Sequence, residues 1–157
     1  MGILISKFNQ SSDMTCFVNV NCGGEGNKST HGYISRHVIN PIGWQSKRQT
    51  TISSSTAQSE YIALLFAAKE FLWLYNLFLV ILKNPIPILL SDNGMAIVIS
   101  TESMNCKPNH HLIREYNTIN EFIETHKIKS EWVSTNGKLA DILTKPLGCI
   151  KNEFFVS

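Results

Sequence analysis

Four oxygen-bearing side chains fall near the ends of predicted strands and helices: Asn19, Glu60, Asp92 and Asp141. Because strand tips and helix starts at one end of an open sheet gather ligands, we expect these groups to lie close together. Carboxylates and waters are the ligands that hard divalent cations prefer. Two such cations about 3.5–4 Å apart can activate a water molecule and stabilise the leaving oxygen in phosphodiester hydrolysis. The four residues therefore predict a two-metal hydrolytic site.

The longest periodic stretch, Ser53–Leu82, predicts the helix that positions Glu60. Ser55 and Gln58 have the spacing of a capping box, which predicts the start of this helix. Glu60 lies at the border of its apolar face, where it is either an ordinary surface charge or a site residue. That face consists of apolar residues at three- and four-residue steps: Ala57, Tyr61, Leu64, Leu65, Ala68, Leu72, Tyr75, Leu79 and Leu82.

The other elements predict an α/β (α+β) fold, a five-stranded mixed sheet flanked by helices. Ile88–Leu90 is apolar on both faces, so we expect it inside the sheet, beside the strand that carries Asn19. The predicted strands are Thr15–Val20, His31–Ile39, Gly43–Ser53, Ile88–Leu90 and Ile128–Val133, and Gly2–Ile5 pairs with the first of them. The further predicted helices are Asn93–Thr101, His110–His126 and Lys138–Thr144.

Composition is that of one globular domain over residues 1–157: 43% of residues are hydrophobic, 17% are charged, and the net charge is +2. So small an excess neither requires nor excludes a nucleic-acid partner. The four cysteines, Cys16, Cys22, Cys106 and Cys149, form no CxxC pair, so we expect reduced thiols in an intracellular protein, cytoplasmic or nuclear. Phe71–Leu82 is too short for a membrane span, so no membrane partner is predicted.

Several segments together resemble the ribonuclease H domain of copia-type (Ty1/copia) retrotransposon Pol polyproteins. They follow the family's order along nearly the whole chain: Gly2–Ile5, Lys28–Tyr33, Trp44–Gln49, Ser54–Ala63, Lys69–Leu74, Ser91–Asn93 and Leu139–Leu147. The resemblance implies a ribonuclease H-like fold that hydrolyses RNA in RNA·DNA hybrids with Mg²⁺ (or Mn²⁺). It implies Glu60, Asp92 and Asp141 as metal ligands. It also implies the reverse transcriptase domain of the same polyprotein as a partner, with residues 1–13 a remnant of the connection to it.

The main departure from the family is in the first strand, where Asn19 and Asn21 stand in place of two Asp residues. The resemblance assigns the first of these positions to a carboxylate that bridges both metals. An amide offers one neutral oxygen and no charge, so we expect weakened metal binding and impaired hydrolysis. Two hypotheses follow: a hybrid-cleaving nuclease with a damaged site, and a catalytically inactive or co-opted domain that binds nucleic acid or protein.

Substrate binding is predicted for seven residues in and beside the second and third strands: Lys28, His31, Trp44, Ser46, Lys47, Arg48 and Gln49. Cations, hydroxyls and an aromatic suit a hybrid duplex, which is recognised through its backbone shape and phosphates. The alternative is that Trp44 belongs to the core and that Lys47 and Arg48 are solvated strand charges. Trp73, on the long helix, is assigned to core or interface packing.

Overall fold

The computed structural model describes residues 14–23, 28–81, 86–91, 113–126, 128–134 and 139–145. These residues form five strands, two α-helices and one 3₁₀ helix. The strands are β1 (Met14–Asn21), β2 (Thr30–His37), β3 (Asn40–Arg48), β4 (Pro87–Ser91) and β5 (Lys129–Trp132). The helices are α1 (Thr56–Leu79), α2 (Ile113–Thr125) and the 3₁₀ helix η1 (Leu139–Leu143).

The five strands form one sheet in the order β3-β2-β1-β4-β5. β1 and β2 are antiparallel, as are β2 and β3, whereas β4 runs parallel to both β1 and β5. The predicted mixed sheet is therefore confirmed. β4 lies beside the strand that carries Asn19, as expected, and Val18 pairs with Ser91 at the end of their register.

Helix α1 begins as its sequence predicts. Ser55 is the N-cap, and its hydroxyl accepts a hydrogen bond from the backbone N–H of Gln58 at 3.2 Å. The Gln58 side chain reaches back one residue further than a standard capping box requires, and accepts from the Ser54 N–H at 2.7 Å. The first bond satisfies an amide that the start of a helix leaves without a partner, and the second holds the residue before the cap, so the helix start is fixed locally.

The buried face of α1 is rotated from the predicted one in its second half. Tyr61, Leu64 and Ala68 are buried as predicted, but the face continues through Phe71 and Leu74. Leu79, assigned to the core by its spacing, is 40% exposed. The exposed apolar residues at this end of the helix and just beyond it are Trp73, Leu77, Leu79, Val80 and Ile81. Of the core or interface packing predicted for Trp73, the core packing is therefore wrong, and the interface packing stays a prediction.

The core lies between α1, α2 and one face of the sheet. Met14, Cys16 and Val18 of β1 contribute alternate side chains to it. Phe71 of α1 and Ile119 of α2 are fully buried in the same cluster. α1 is also long and apolar enough, by length and composition, to cross a membrane. Its buried face belongs to this core, although only 33% of the 18-residue apolar stretch is buried.

The connection between β2 and β3 differs from its prediction. The predicted strands His31–Ile39 and Gly43–Ser53 put the turn between them, at Asn40 and Pro41. In the structure it lies at Val38 and Ile39, with Val38 at a φ of 57°. Asn40 and Pro41 instead begin β3, which is an edge strand, where a proline that lacks an N–H is tolerated. β3 ends at Arg48 and not at the predicted Ser53.

Other predictions fall wholly or partly outside the described residues. Gly2–Ile5 and the helix Asn93–Thr101 lie outside them, as do Cys106 and Cys149. Lys138–Thr144, predicted as a short helix, is a 3₁₀ helix at Leu139–Leu143. Cys16 and Cys22 are both free thiols, and burial raises the pKa of Cys16 to about 12, against a smaller lowering by its hydrogen bond to Ser35.

Candidate functional site

Two of the four predicted site residues meet in a buried contact. The Nδ2 of Asn19 donates a hydrogen bond of 2.6 Å to Oδ1 of Asp141. The same nitrogen donates to the hydroxyl of Thr144 at 2.5 Å. Asn19 is 6% exposed and Asp141 only 1%, so solvent contributes little to either group. The end of β1 and the helix η1 are thus joined by an amide bridge.

The second oxygen of Asp141 has a cationic partner. Nζ of Lys145 lies 3.1 Å from Oδ2, one helical turn further along the chain. The lysine side chain is 43% exposed and the aspartate is buried, so the ammonium group covers the carboxylate from the solvent side. Both carboxylate oxygens therefore have nitrogen partners.

The orientation of the Asn19 amide follows from these partners. An ionised carboxylate only accepts hydrogen bonds, so the group that faces Asp141 is the NH₂. The Thr144 hydroxyl donates its proton to the backbone carbonyl of Asp141 at 3.2 Å, so its oxygen is left to accept from Asn19. In this arrangement the NH₂ group of Asn19, and not its oxygen, faces the carboxylate.

Three neighbouring strands form the surface against which η1 packs. Asn19 on β1 pairs with Gly32 on β2, and Gly32 pairs with Ser46 on β3, so the three residues form one row across the sheet. The Ser46 hydroxyl donates to the backbone carbonyl of Leu143 at 2.5 Å. A Cβ added at Gly32 would lie 2.8 Å from the Cβ of Leu143, so the glycine permits the close approach of η1.

The other two predicted ligands stand differently. Glu60 is half-buried on the second turn of α1 and is engaged in an interaction of its own. Gln49 fastens this part of the helix to the end of β3, because its side-chain amide donates to the carbonyl of Ser59 at 2.9 Å. Asp92 lies outside the described residues and follows Ser91, the last residue of β4.

The described residues do not fit a divalent cation as they are arranged. They contain no group of three or more His, Cys, Asp or Glu side chains that could hold a metal ion. The partners of Asp141 include an amide NH₂ and an ammonium group, which present positive charge where a cation would need oxygen ligands. A cation at Asp141 would therefore lie beside these two donors.

The predicted nucleic-acid contacts divide into an exposed set and a buried set. Trp44 is 54% exposed, so its assignment to the core is wrong. Lys47 and Arg48 are exposed as well, Ser46 is exposed while bonded to η1, and Lys28 is half-buried. Nζ of Lys47 lies 5.6 Å from the ring centre of Phe66 on α1, which places it on the core side of β3.

His31 and Gln49, by contrast, are buried, so the interpretation of both as surface contacts needs correction. The His31 ring lies 4.6 Å from the ring of Phe66, centre to centre. Neither ring nitrogen of His31 has a hydrogen-bond partner among the described residues. Burial, assisted by the charge of Lys47, lowers the pKa of His31 below its ordinary value of 6.5. Its position on β2 alone did not reveal which face it occupies.

Thr144, Lys145 and Gly32 take part in the site but were not predicted to do so. A signal existed for the first two, because they follow Asp141 by three and four residues, which puts them on its side of a helix. Gly32 carried no such signal. Its role depends on η1 arriving from a distant part of the chain.

Comparison with known proteins adds sequence relatives. No protein-family model matches the chain. It is similar to the retrovirus-related Pol polyprotein from transposon TNT 1-94 of Nicotiana tabacum, with 34% identity over 119 residues. It is also similar to the Pol polyprotein from transposon RE1 of Arabidopsis thaliana, with 30% identity over 132 residues. The matches cover 75% and 82% of this chain, which spans 9% of the length of each relative.

Solved ribonuclease H structures share the fold. A crystal structure of LC11-RNase H1 in complex with an RNA/DNA hybrid superposes with a TM-score of 0.66 and 12% identity, covering 84% of this chain and 94% of that one. The N-terminal RNase H domain of rv2228c from Mycobacterium tuberculosis gives a TM-score of 0.64 and 13% identity, covering 92% of this chain and 94% of that one. The chain therefore has a ribonuclease H-like fold, and its relatives in sequence are copia-type retrotransposon Pol polyproteins.

Proposed function

We propose that this chain is a ribonuclease H-like domain of a copia-type Pol polyprotein in which binding of an RNA·DNA hybrid is retained while hydrolysis of its RNA strand is strongly impaired. The observation that carries the proposal is the hydrogen bond of 2.6 Å from the Asn19 amide to Asp141. The resemblance assigns a carboxylate to position 19. The amide removes that charge and turns N–H groups toward the remaining acid.

Asp141 itself is poorly placed to act on substrate. One of its oxygens accepts from Asn19 and the other pairs with Lys145. A carboxylate whose oxygens already accept from nitrogen donors has fewer lone pairs left for a metal ion or a water molecule than one that faces open solvent. The hydroxyl of Thr144 cannot replace the carboxylate in this role, because it donates to the backbone carbonyl of Asp141.

Hybrid binding is supported by the exposed side chains of β3. Trp44, Ser46 and Arg48 are every second residue of β3, so their side chains lie on the same face of the sheet. This is the face of Asn19, because Ser46 lies in the same row and its hydroxyl reaches η1. A guanidinium suits a phosphate, and an indole face can stack on a base or pack on a sugar. The structural relative LC11-RNase H1 was crystallised with an RNA/DNA hybrid, which supports the same class of ligand here.

A second candidate function is nucleic-acid or protein binding without turnover, in a remnant or co-opted domain. The closed hydrogen bonding of Asp141 favours it, since the contact satisfies the acid without any substrate. In this case an Asp at position 19 would restore nothing. Association with a reverse transcriptase domain of the same polyprotein, in the cytoplasm or nucleus, is compatible with either candidate.

Cleavage of a labelled RNA·DNA hybrid in Mg²⁺ and in Mn²⁺ tests the catalytic part. Asn19→Asp should cleave at least about tenfold faster than the natural chain, which corresponds to about 1.4 kcal/mol of transition-state stabilisation. Asn117→Asp, which adds the same charge at an exposed position on α2, is the matched control and should cleave no faster than the natural chain. Equal rates for the natural chain and Asn19→Asp, both abolished by Asp141→Asn, would overturn the proposal of impaired hydrolysis. No cleavage by any variant would favour the second candidate.

Fluorescence anisotropy with the same hybrid, without divalent metal, tests the binding part. Trp44→Ala and Arg48→Ala should each weaken binding by about fivefold or more, since a stacked base contributes about 1–3 kcal/mol. Arg48→Ala should also reduce the slope of log K against log salt by about one. Lys69→Ala, at an exposed position on α1, is the control and should bind as the natural chain does. Unchanged affinity in both β3 variants would refute this surface.

A further inference from the structure

The contact around Asp141 balances its charge without a metal ion. The buried carboxylate contributes one negative charge, and the ammonium group of Lys145, 3.1 Å away, contributes one positive charge. The Asn19 amide adds two N–H donors, one to the carboxylate and one to Thr144. A buried carboxylate normally requires such compensation, because desolvation of an unpaired charge costs several kcal/mol.

The same contact has a mechanical role. Helix η1 has only five residues, too few to be stable by itself in water. It is held on the sheet by Asn19 of β1 from one side and by Ser46 of β3 from the other, with Gly32 of β2 allowing close packing between them. The attachment of this segment to the sheet depends on polar contacts that require no cation.

We propose that Asn19 and Lys145 form a metal-independent clasp: together they compensate the charge of Asp141, hold η1 on the sheet, and exclude divalent cations from this carboxylate. The clasp rests on the proposed function only because it takes position 19 as part of the site. Its expected effects are on stability and on metal binding, and both can be measured without substrate.

Thermal unfolding of the natural chain and of position-19 variants, in EDTA and in excess Mn²⁺ at matched ionic strength, tests the clasp. The natural chain should unfold at the same Tm in both solutions. Asn19→Asp places a second carboxylate against Asp141, so its Tm in EDTA should fall by at least about 4 °C. Mn²⁺ should recover most of this loss, because a cation can bridge two carboxylates.

Two matched variants separate charge from hydrogen bonding. Asn19→Leu removes the donors without adding charge, so it should lose stability in EDTA and regain none in Mn²⁺. Asn117→Asp adds the same charge at an exposed position on α2, so it should leave the Tm nearly unchanged in both solutions. If Asn19→Asp does not fold, the metal response of the natural chain and of Asn19→Leu still decides the question.

A rise in the Tm of the natural chain with Mn²⁺ that Asp141→Asn abolishes would overturn the clasp, because it would place the cation on this carboxylate. A rise that Asp141→Asn leaves intact belongs to another site and supports the exclusion. The outcomes of this assay and of the cleavage assay distinguish failure of the clasp from failure of the proposed function. Slow cleavage with metal stabilisation at Asp141 would refute the clasp alone, whereas fast cleavage by a natural chain whose Asp141 takes up no Mn²⁺ would refute the impaired nuclease alone.

Discussion

On one face of β1, Met14, Cys16 and Val18 pack into an apolar core with α1, whereas on the opposite face Asn19 holds η1 through hydrogen bonds. The first face gains stability from apolar area removed from water, which depends little on direction. The second gains it from a few donor–acceptor pairs, each of which needs its partner in place. The core face of β1 should therefore tolerate substitutions of similar volume, whereas the η1 face requires particular donors and acceptors.

This difference bears on how the site changes in evolution. A substitution on the core face is felt through volume, so residues of similar size replace one another at modest cost. On the η1 face a change of one atom, from carboxylate to amide at position 19, alters which groups can face Asp141. The core face and the η1 face therefore differ in how narrowly the choice of a single side chain is constrained.

The largest expected effect tests the core face. Phe71→Ala removes a fully buried ring and should lower the free energy of unfolding by about 3–5 kcal/mol. Trp73→Ala, two residues further along the same helix, removes a side chain that is 64% exposed and should cost under about 1 kcal/mol. Urea unfolding measures both. Similar losses in the two variants would contradict the burial assigned to this helix.

A glycine on each face compares the two directly. Gly32→Ala puts a Cβ 2.8 Å from the Cβ of Leu143 in η1, beside a backbone carbonyl, so we expect a loss of about 1–3 kcal/mol. Gly43→Ala puts a Cβ 2.6 Å from Cδ1 of Leu74 in α1, the far end of a side chain that can change rotamer. The loss at Gly43 should therefore be smaller. Urea unfolding measures both losses in free energy of unfolding. A larger loss at Gly43 than at Gly32 would show that η1 adjusts to the added Cβ more easily than α1 does.

The smallest expected effect concerns a titratable group on the core face. The pKa of His31 is lowered in the folded protein, mainly by burial, so the unfolded chain binds its proton more readily. Stability should be full above the ordinary pKa of 6.5 and should decrease as the pH falls through and below that value. His31→Gln should reduce the slope of the free energy of unfolding against pH. His126→Gln, at a half-buried position after α2, is measured beside it as the comparison variant. Urea midpoints across this pH range measure it, and an unchanged slope in His31→Gln would refute the assignment.

Features decided by near neighbours in sequence were predictable. The cap at Ser55 depends on an amide three residues away, and it was found where the pattern predicts it. The place of β4 inside the sheet followed from its apolar character on both faces. The approach of Asn19 to Asp141 was also predicted, since the strand and helix ends that carry them were expected at one end of the sheet.

Features decided by which side of an element faces inward were less predictable. Apolar residues occupy most positions in the second half of α1, so spacing could not choose Phe71 and Leu74 over Leu79. His31 and Gln49 have polar side chains typical of surfaces, yet contacts with Phe66 and Ser59 on α1 bury them. The direction of the Asn19 amide depended on Thr144, whose proton is directed to a backbone carbonyl.

The hydrogen bond between Asn19 and Asp141 joins residues 122 positions apart, which has a consequence for the order of folding. The antiparallel pairs β1–β2 and β2–β3 join near neighbours in sequence, and such local contacts form early because little chain entropy is lost. The closure of β1 by η1 spans most of the domain, so we expect it among the last events of folding. During synthesis, nearly all of the sheet can exist before residues 139–145 leave the ribosome, and the site is completed only when they arrive.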